Sequence, residues 1–219
     1  YTADNSRGID VDQSGNVYVA LAGAIKKFDK DGNHLGTFFG YKDIEGYEIY
    51  PVHLALDQND QYLHVTGRDH IAKFDAMNFN YIERWGEFGH SPCQLWSTAG
   101  IAIDNTGNIY VSDAGNHQIS KFDSSGNCQL GWGSYGTGNG EFNLPAGIDV
   151  DDAGNVFVAD RENYRVQMFD SSGNFLAKWG THGSENGQFG LPRAVAVDHS
   201  GDIYVGDATS RIQKFTFGN

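Results

Sequence analysis

Residues 146–180 read AGIDVDDAGNVFVADRENYRVQMFDSSGNFLAKWG, and their pattern decides the fold. Apolar residues fall in four short runs, at 148–150, 156–159, 166–169 and 175–179, separated by Asp, Gly and Asn without helical spacing. Such runs read as four strands. The unit recurs along the whole sequence. Trp85, Trp132 and Trp179, each closing a fourth run, stand 47 residues apart, and Asp57, Asp104, Asp151 and Asp198, each closing a first run, keep the same step. Asp12 leads a slightly shorter first copy. A fixed period of this size marks a solenoid, an array or a propeller.

Five copies result, at about 7–51, 52–98, 99–145, 146–192 and 193–219, and nothing resembling a linker interrupts them, so residues 1–219 read as one domain. Between the first and second runs stand QSGN, NTGN, DAGN and HSGD, short and Gly/Asn-rich enough for tight hairpins. The third run carries IKKF, IAKF, ISKF, VQMF and IQKF, followed in three copies by DKDGN or DSSGN, an equally tight turn. Four strands joined by successive hairpins form a meander, and a meander repeated about an axis is a blade of a β-propeller. Apolar residues on both faces of the first two strands suit blades covered front and back. A two-sheet sandwich is the alternative, but it gives no reason for a strict period.

Composition narrows the function classes. The 219 residues are 39% hydrophobic and 13% aromatic, enough for a packed core, and no apolar run is long enough to span a bilayer as a helix, so membrane insertion is not expected. Fifteen Lys and Arg against 28 Asp and Glu give a net charge of −13, which repels phosphate backbones and argues against nucleic acid as a partner. The same acidity also serves solubility. Two cysteines make no disulfide framework.

The repeats resemble the NHL family of β-propellers. The resemblance rests on GIAIDNTGNIYVSDAGNHQISKFDSSGN, with Asn116 and His117 at the name-giving positions, on GIDVDDAGNVFVADRENYRVQMFDSSGN, and on GNGEFNLP and ENGQFGLP ahead of the following strands. It covers essentially the whole chain. The first two copies depart from it, with VALAGAIKKF and HVTGRDHIAKF after their second strands. Propellers of this family usually have six blades. Five first, second and third strands but only four fourth strands are visible, so the resemblance implies an incomplete larger ring, or a five-bladed variant whose last blade lacks its outer strand. Completion of the ring would come from flanking sequence or another chain.

In an up-and-down meander the two tight turns of each blade share one face, and the longer loops share the other. Long loops on a rigid scaffold are where binding resides, which puts the ligand face at the long-loop mouth of the central channel. The first strands begin there mostly with small residues; against that background Arg7, His53 and Arg193 stand out, with Arg68, His70, Trp96, His117, Arg161 and Tyr164 in adjoining loops. A basic, aromatic mouth on an acidic protein suits a carboxylate, a sugar or a peptide strand. Arg165 with Asp160, and Arg211 with Asp207, recur at one repeat position and read as structural ion pairs.

Chemical constellations are sparse. Residues 10–15, DVDQSG, match the first half of a calcium loop, but Leu21 stands where a bidentate Glu is needed, and a hairpin explains the segment. His53, His70 and His117 share one face without the repeated placement of a zinc set, although the resemblance extends to peptidyl-amidoglycolate lyases with a channel zinc. No cofactor is therefore expected, with calcium on the Asp-rich face and zinc in the channel as minor alternatives. No GxSxG elbow or phosphate loop is present. Cys93, in a long loop, and Cys128, opening a fourth strand beyond a turn on the other face, are expected to lie about a strand length apart, roughly 17 Å, and not to be paired to each other.

These readings predict an all-β propeller that binds protein, peptide or glycan without catalysis, at a cell surface or outside the cell, in keeping with the prokaryotic surface and secreted proteins it resembles. The alternative is a metal-dependent lyase or lactonase of the six-bladed kind. RNA binding, as in tripartite-motif NHL proteins, conflicts with the charge.

Overall fold

The computed structural model describes residues 7–21, 23–39, 41–42, 48–49 and 51–216. Each repeat forms one antiparallel sheet. Blade 1 comprises β1 (Gly8–Val11), β2 (Val17–Leu21), β3 (Ala24–Phe28) and β4 (His34–Phe39), and a short hairpin of β5 (Tyr41–Lys42) and β6 (Glu48–Ile49) follows it. Blade 2 comprises β7 (His53–Leu56), β8 (Tyr62–Thr66), β9 (Ile71–Asp75) and β10 (Tyr81–Trp85). A parallel pair, β11 (Glu87–Phe88) with β12 (Gln94–Leu95), joins it to blade 3. Blade 3 holds β13 (Thr98–Ile103), β14 (Ile109–Asp113), β15 (Gln118–Phe122) and β16 (Cys128–Trp132). Blade 4 holds β17 (Pro145–Val150), β18 (Val156–Asp160), β19 (Arg165–Phe169) and β20 (Phe175–Trp179). Blade 5 has three strands among the described residues, β21 (Pro192–Val197), β22 (Asp202–Asp207) and β23 (Ile212–Thr216). The five blades are set around a channel lined by the first strand of each, which confirms the expected propeller.

The first strands end one residue before the repeated aspartates expected to close them. The first strands stop at Val11, Leu56, Ile103, Val150 and Val197, and the following Asp opens the turn. Its carboxylate then replaces the missing strand partners. Oδ1 of Asp104 accepts the N–H groups of Thr106 and Asn108, both at 2.9 Å, and Asp151 does the same for Ala153 and Asn155. The turns after the third strands repeat the device with Asp29, Asp123 and Asp170, whose carboxyls are held below the ordinary range by the side-chain amide and then the backbone N–H of Asn33, Asn127 and Asn174. Oxygens of the Asp-rich face are thus occupied in shaping turns, with Gly15, Gly107 and Gly154 at positive φ completing them.

Blades adhere through side chains that leave one sheet and enter the next. Ile71 of blade 2 packs with Leu95, Ile101 and Ile109 at blade 3, Ile119 with Phe142 and Ile148 at blade 4, and Val166 with Phe189, Val195 and Ile203 at blade 5. Ile25, Ile71, Ile119 and Val166 all have 0% exposure, whereas Ile212, at the same position of blade 5, is 75% exposed. The opposite wall matches. Ile9 of blade 1 is 67% exposed where Leu54, Ile101, Ile148 and Val195 lie between 4% and 8%. β1 packs on β7, β13 on β17 and β17 on β21, but no comparable packing joins β21 to β1 among the described residues.

Polar links also step from blade to blade. Gln58 donates to Asn105 at 2.6 Å, Asn105 to the Asp152 carbonyl at 3.3 Å, and His199 Nδ1 lies 3.0 Å from Asp152. Inside the channel, Asp10 accepts the Leu56 N–H at 2.7 Å and Asp149 accepts that of Val197 at 2.8 Å, each bonding to the following blade.

One expectation is overturned. Cys93 and Cys128 form a disulfide with their Cα atoms 5.8 Å apart. The opposite-face argument fails because the loop after β10 does not stay at its own end of the propeller. It descends between the blades, where Cys93 is buried with Phe122 and Val111, and Pro92 and Cys93 lie against Gly131 of β16. Cys128 faces Phe122 in the register of β15 and β16, just past a bulge, so the descending loop meets the start of the outer strand.

Two outcomes are expected. Ile119→Ala should lower unfolding free energy by about 2–5 kcal/mol and Ile212→Ala by no more than about 0.5 kcal/mol, measured by urea titration. Burial pushes the Asp149 carboxyl up to about 6 from 3.8, against the opposing N–H bonds from Val197 and Val150. The folded state therefore binds this proton more tightly than the unfolded one, and stability should fall by roughly 2–3 kcal/mol as pH rises from about 4 through about 6. Asp149→Asn should remove that slope, measured as the difference between the two proteins' urea midpoints across the range.

Candidate functional site

The channel mouth on the long-loop face is built from the starts of the first strands. Glycines there are set by proximity: a Cβ on Gly147 would stand 2.7 Å from the Ala194 Cα, and one on Gly8 2.9 Å from the His53 Cα. Small residues let the five strands converge, and the larger side chains among them project into a shared cavity of about 590 Å³. Arg7, His53, Arg161 and Arg193 line it together with Val52, Thr98, Ala99, Ala146 and Ala194. Arg7 and Arg193 are exposed and Arg161 is half-buried, its Nη2 3.5 Å from Glu162. Burial, with the nearby Arg7 charge, pulls the His53 imidazole down to about 4, so it is neutral at pH 7. The mouth therefore offers three guanidinium groups and an uncharged imidazole.

The cavity continues into the channel proper, about 510 Å³, where Asp10 and Asp149 point inward. Burial raises both carboxyls from their ordinary value. The sequence signal for this pair is a break in the repeat: Ala55, Ala102 and Ala196 occupy the same strand position in the other blades.

The remaining five candidates lie outside that cavity. Arg68 is exposed, and its backbone carbonyl accepts the Thr98 N–H at 3.1 Å. His70 is buried beneath Gly67, with Nδ1 2.9 Å from Asp69. Trp96 is 39% exposed, stacks edge-on with His90 and covers Gly115. His117 and Tyr164 share a left-handed backbone, with φ of 54° and 55°, and pair with Tyr135 and His182 at ring separations of 5.0 and 4.4 Å. His117 Nδ1 also accepts the Leu144 N–H at 3.1 Å. Their matching geometry in successive blades makes them supports of the loops.

Those loops are braced throughout. Asp113 accepts the N–H groups of Trp96 and Ser97, Asp160 that of Asn143, and Asp207 that of Gly190. The Arg165–Asp160 pair is structural as expected, and it is buried: Nε lies 2.7 Å from Oδ2, with side-chain exposures of 7% and 0%. The remaining Arg165 nitrogens reach the carbonyls of Thr137, Gly138 and Glu141. Arg211 repeats this toward Asp207, Ser184 and Gln188. Asn116 and Asn163 bond the carbonyls of Gly89 and Gly136. Among the described residues no group of three or more His, Cys, Asp or Glu is placed to hold a metal ion.

The family model of the NHL repeat matches residues 96–122 and 142–169. No curated protein matches the sequence. Among solved structures, a streptogramin B lyase aligns with a TM-score of 0.70 at 13% identity, over 99% of this chain and 70% of the lyase. A virginiamycin B lyase from Staphylococcus aureus aligns at 0.60 and 12% identity, over 97% of this chain and 84% of the enzyme. U3-55K aligns at 0.74 and 12% identity, over 98% of this chain and 62% of that protein. Identities this low establish the fold alone. The chain is thus a β-propeller that matches the NHL-repeat model in two stretches, with four blades forming the same four-stranded meander and three strands described in the fifth.

Proposed function

We propose that this chain is a non-catalytic binding propeller whose ligand, a carboxylate-bearing peptide segment of a protein partner, sits on the channel mouth. The observation that carries the reading is the convergence of Arg7, Arg161 and Arg193 on one cavity in a protein of net charge −13. Guanidinium groups grip carboxylates in paired hydrogen bonds, and the neutral His53 adds a further donor or acceptor. The braced loops favour binding without reorganisation, which lowers its entropic cost. An extracellular or cell-surface setting is supported by the Cys93–Cys128 disulfide, since such bonds persist in oxidising compartments. The test is calorimetric titration with hexaglutamate at low and high salt. Binding should weaken with salt and fall tenfold or more in the Arg7→Ser, Arg193→Ser double variant. Absence of binding, or binding indifferent to both substitutions, overturns the reading. Turnover of a lactone or peptidyl substrate abolished by metal chelation would install the lyase or lactonase alternative.

We further propose that the ring accepts one more blade of the same repeat between blades 5 and 1. Four seams of this propeller are filled by sheet on sheet, and the fifth presents Ile212 on one wall and Ile9 on the other, 75% and 67% exposed. Continuity with the four filled seams specifies the occupant: a blade of the same repeat, with its own Ile or Val facing each wall. Appending a duplicate of residues 175–219 after Asn219 supplies an outer strand to blade 5 and three strands of a further blade in register. That protein should slow amide exchange of β1 and β23 to the level of β7 and β19. Unchanged exchange, or a concentration-dependent dimer of the 219-residue chain that protects the same strands, overturns the proposal.

A further inference from the structure

On the opposite face, the second blade breaks a rule kept by its neighbours. At the second-strand position that pairs with Asp10, Ala102 and Ala196, Tyr18, Tyr110 and Tyr204 each donate a phenolic hydroxyl to the aspartate opening the preceding turn, Asp12, Asp104 and Asp198, at 3.0–3.3 Å. Blade 4 fills the position with Phe157, 2% exposed. Blade 2 has His64 there, facing Ala55 as Tyr110 faces Ala102. The imidazole is shorter, and no phenol reaches Asp57. Its turn is also one residue longer, closing from Asp57 to the Tyr62 carbonyl, whereas that of blade 3 closes from Asp104 to Asn108.

The consequence is a groove between blades 2 and 3. It measures about 510 Å³, against about 200 Å³ for the corresponding groove between blades 3 and 4. The smaller groove is shut by Lys121, whose Nζ donates to the Ser171 carbonyl at 3.0 Å. Lys73, its counterpart, turns instead to Glu83 at 3.6 Å and lies over the Tyr62 ring at 4.2 Å. His64 lines the open groove, is only 3% exposed, and among the described residues neither ring nitrogen has a hydrogen-bond partner. A buried polar group without a partner is costly, and two on one ring call for a ligand or a solvent molecule. Burial and the nearby Lys73 charge hold the imidazole neutral, down to about 3, so one nitrogen donates and the other accepts.

Around it stand Asp57, Gln58, Asn105, Thr106 and Ser124, a mixture of acceptors, amides and hydroxyls with one carboxylate, while the one cation of the lining, Lys73, is already paired with Glu83. We infer that this inter-blade groove is a carbohydrate site that takes a neutral hexose-sized unit, with His64 and Asp57 bonding adjacent ring hydroxyls. Donors and acceptors in near-equal number, no cation in the lining beyond the paired Lys73 and a cavity within the usual ligand-site range describe a polyol better than an anion or an apolar group. The site is independent of the channel mouth.

The experiment is ligand-observed and amide NMR of the 219-residue chain with glucose, galactose, mannose and N-acetylglucosamine, and with inorganic phosphate as the charged control. One or more sugars should shift the amides of 57–64 and 103–107, while phosphate should not. His64→Phe, which copies blade 4, should weaken that binding at least tenfold. Ser124→Trp, on an exposed turn of the opposite wall, should do the same without touching the core. Lack of sugar binding at 20 mM, phosphate shifting the same amides, or sugar binding retained in Ser124→Trp overturns the inference, and so does a water alone bridging His64 at saturating sugar.

Discussion

Everything in this fold depends on one apolar side chain per blade crossing into the next sheet. A four-stranded blade cannot bury both of its faces alone, and Ile25, Ile71, Ile119 and Val166 do so only because a neighbour receives them. Stability therefore resides at the seams more than in any single sheet. The polar links running from Gln58 to Asn105, Asp152 and His199 keep the same step and add orientation to this packing. The exposed Ile212 reflects the same constraint: no sheet among the described residues receives the crossing residue of blade 5.

The strands were legible because a period-2 apolar pattern and a 47-residue register are both one-dimensional signals. Turn aspartates and glycines were equally readable, since their partners lie within four residues, as for Asp104 with Thr106 and Asn108. What the sequence hid is the path of the long loops. Cys93 lies 35 residues from Cys128, and nothing local says that its loop dives between blades until it meets β16. The mouth was half legible. Arg7, His53 and Arg193 follow from strand register, and Arg161 joins them by virtue of a short helical turn, Arg161–Asn163, that register alone does not reveal.

His117 and Tyr164 show why repeated polar residues mislead. Both occupy the left-handed position that ends the connection between the second and third strands, and both stack on an aromatic ring of the adjoining loop. Their chemistry suggested ligands, yet equivalence between copies marks a part of the scaffold. The informative comparison is the converse one, a position at which one copy breaks with the rest. Asp10 and Asp149 against Ala55, Ala102 and Ala196 form one such break, and His64 against three tyrosines and a phenylalanine forms another.

The two breaks differ in what they do to polar satisfaction. Asp10 and Asp149 enter a tight channel but find backbone donors on the following blade, so their placement tightens the ring at the expense of carrying a charge in a confined space. His64 finds none. The turn of blade 2 is one residue longer, Lys73 lies over the Tyr62 ring, and the groove that Lys121 shuts one seam later stays open beside an imidazole that has no hydrogen-bond partner among the described residues. A repeat that places Tyr or Phe at this position in four blades and His in one has departed from its own stabilising solution, and such a departure is where a propeller built on repetition can acquire a second binding surface.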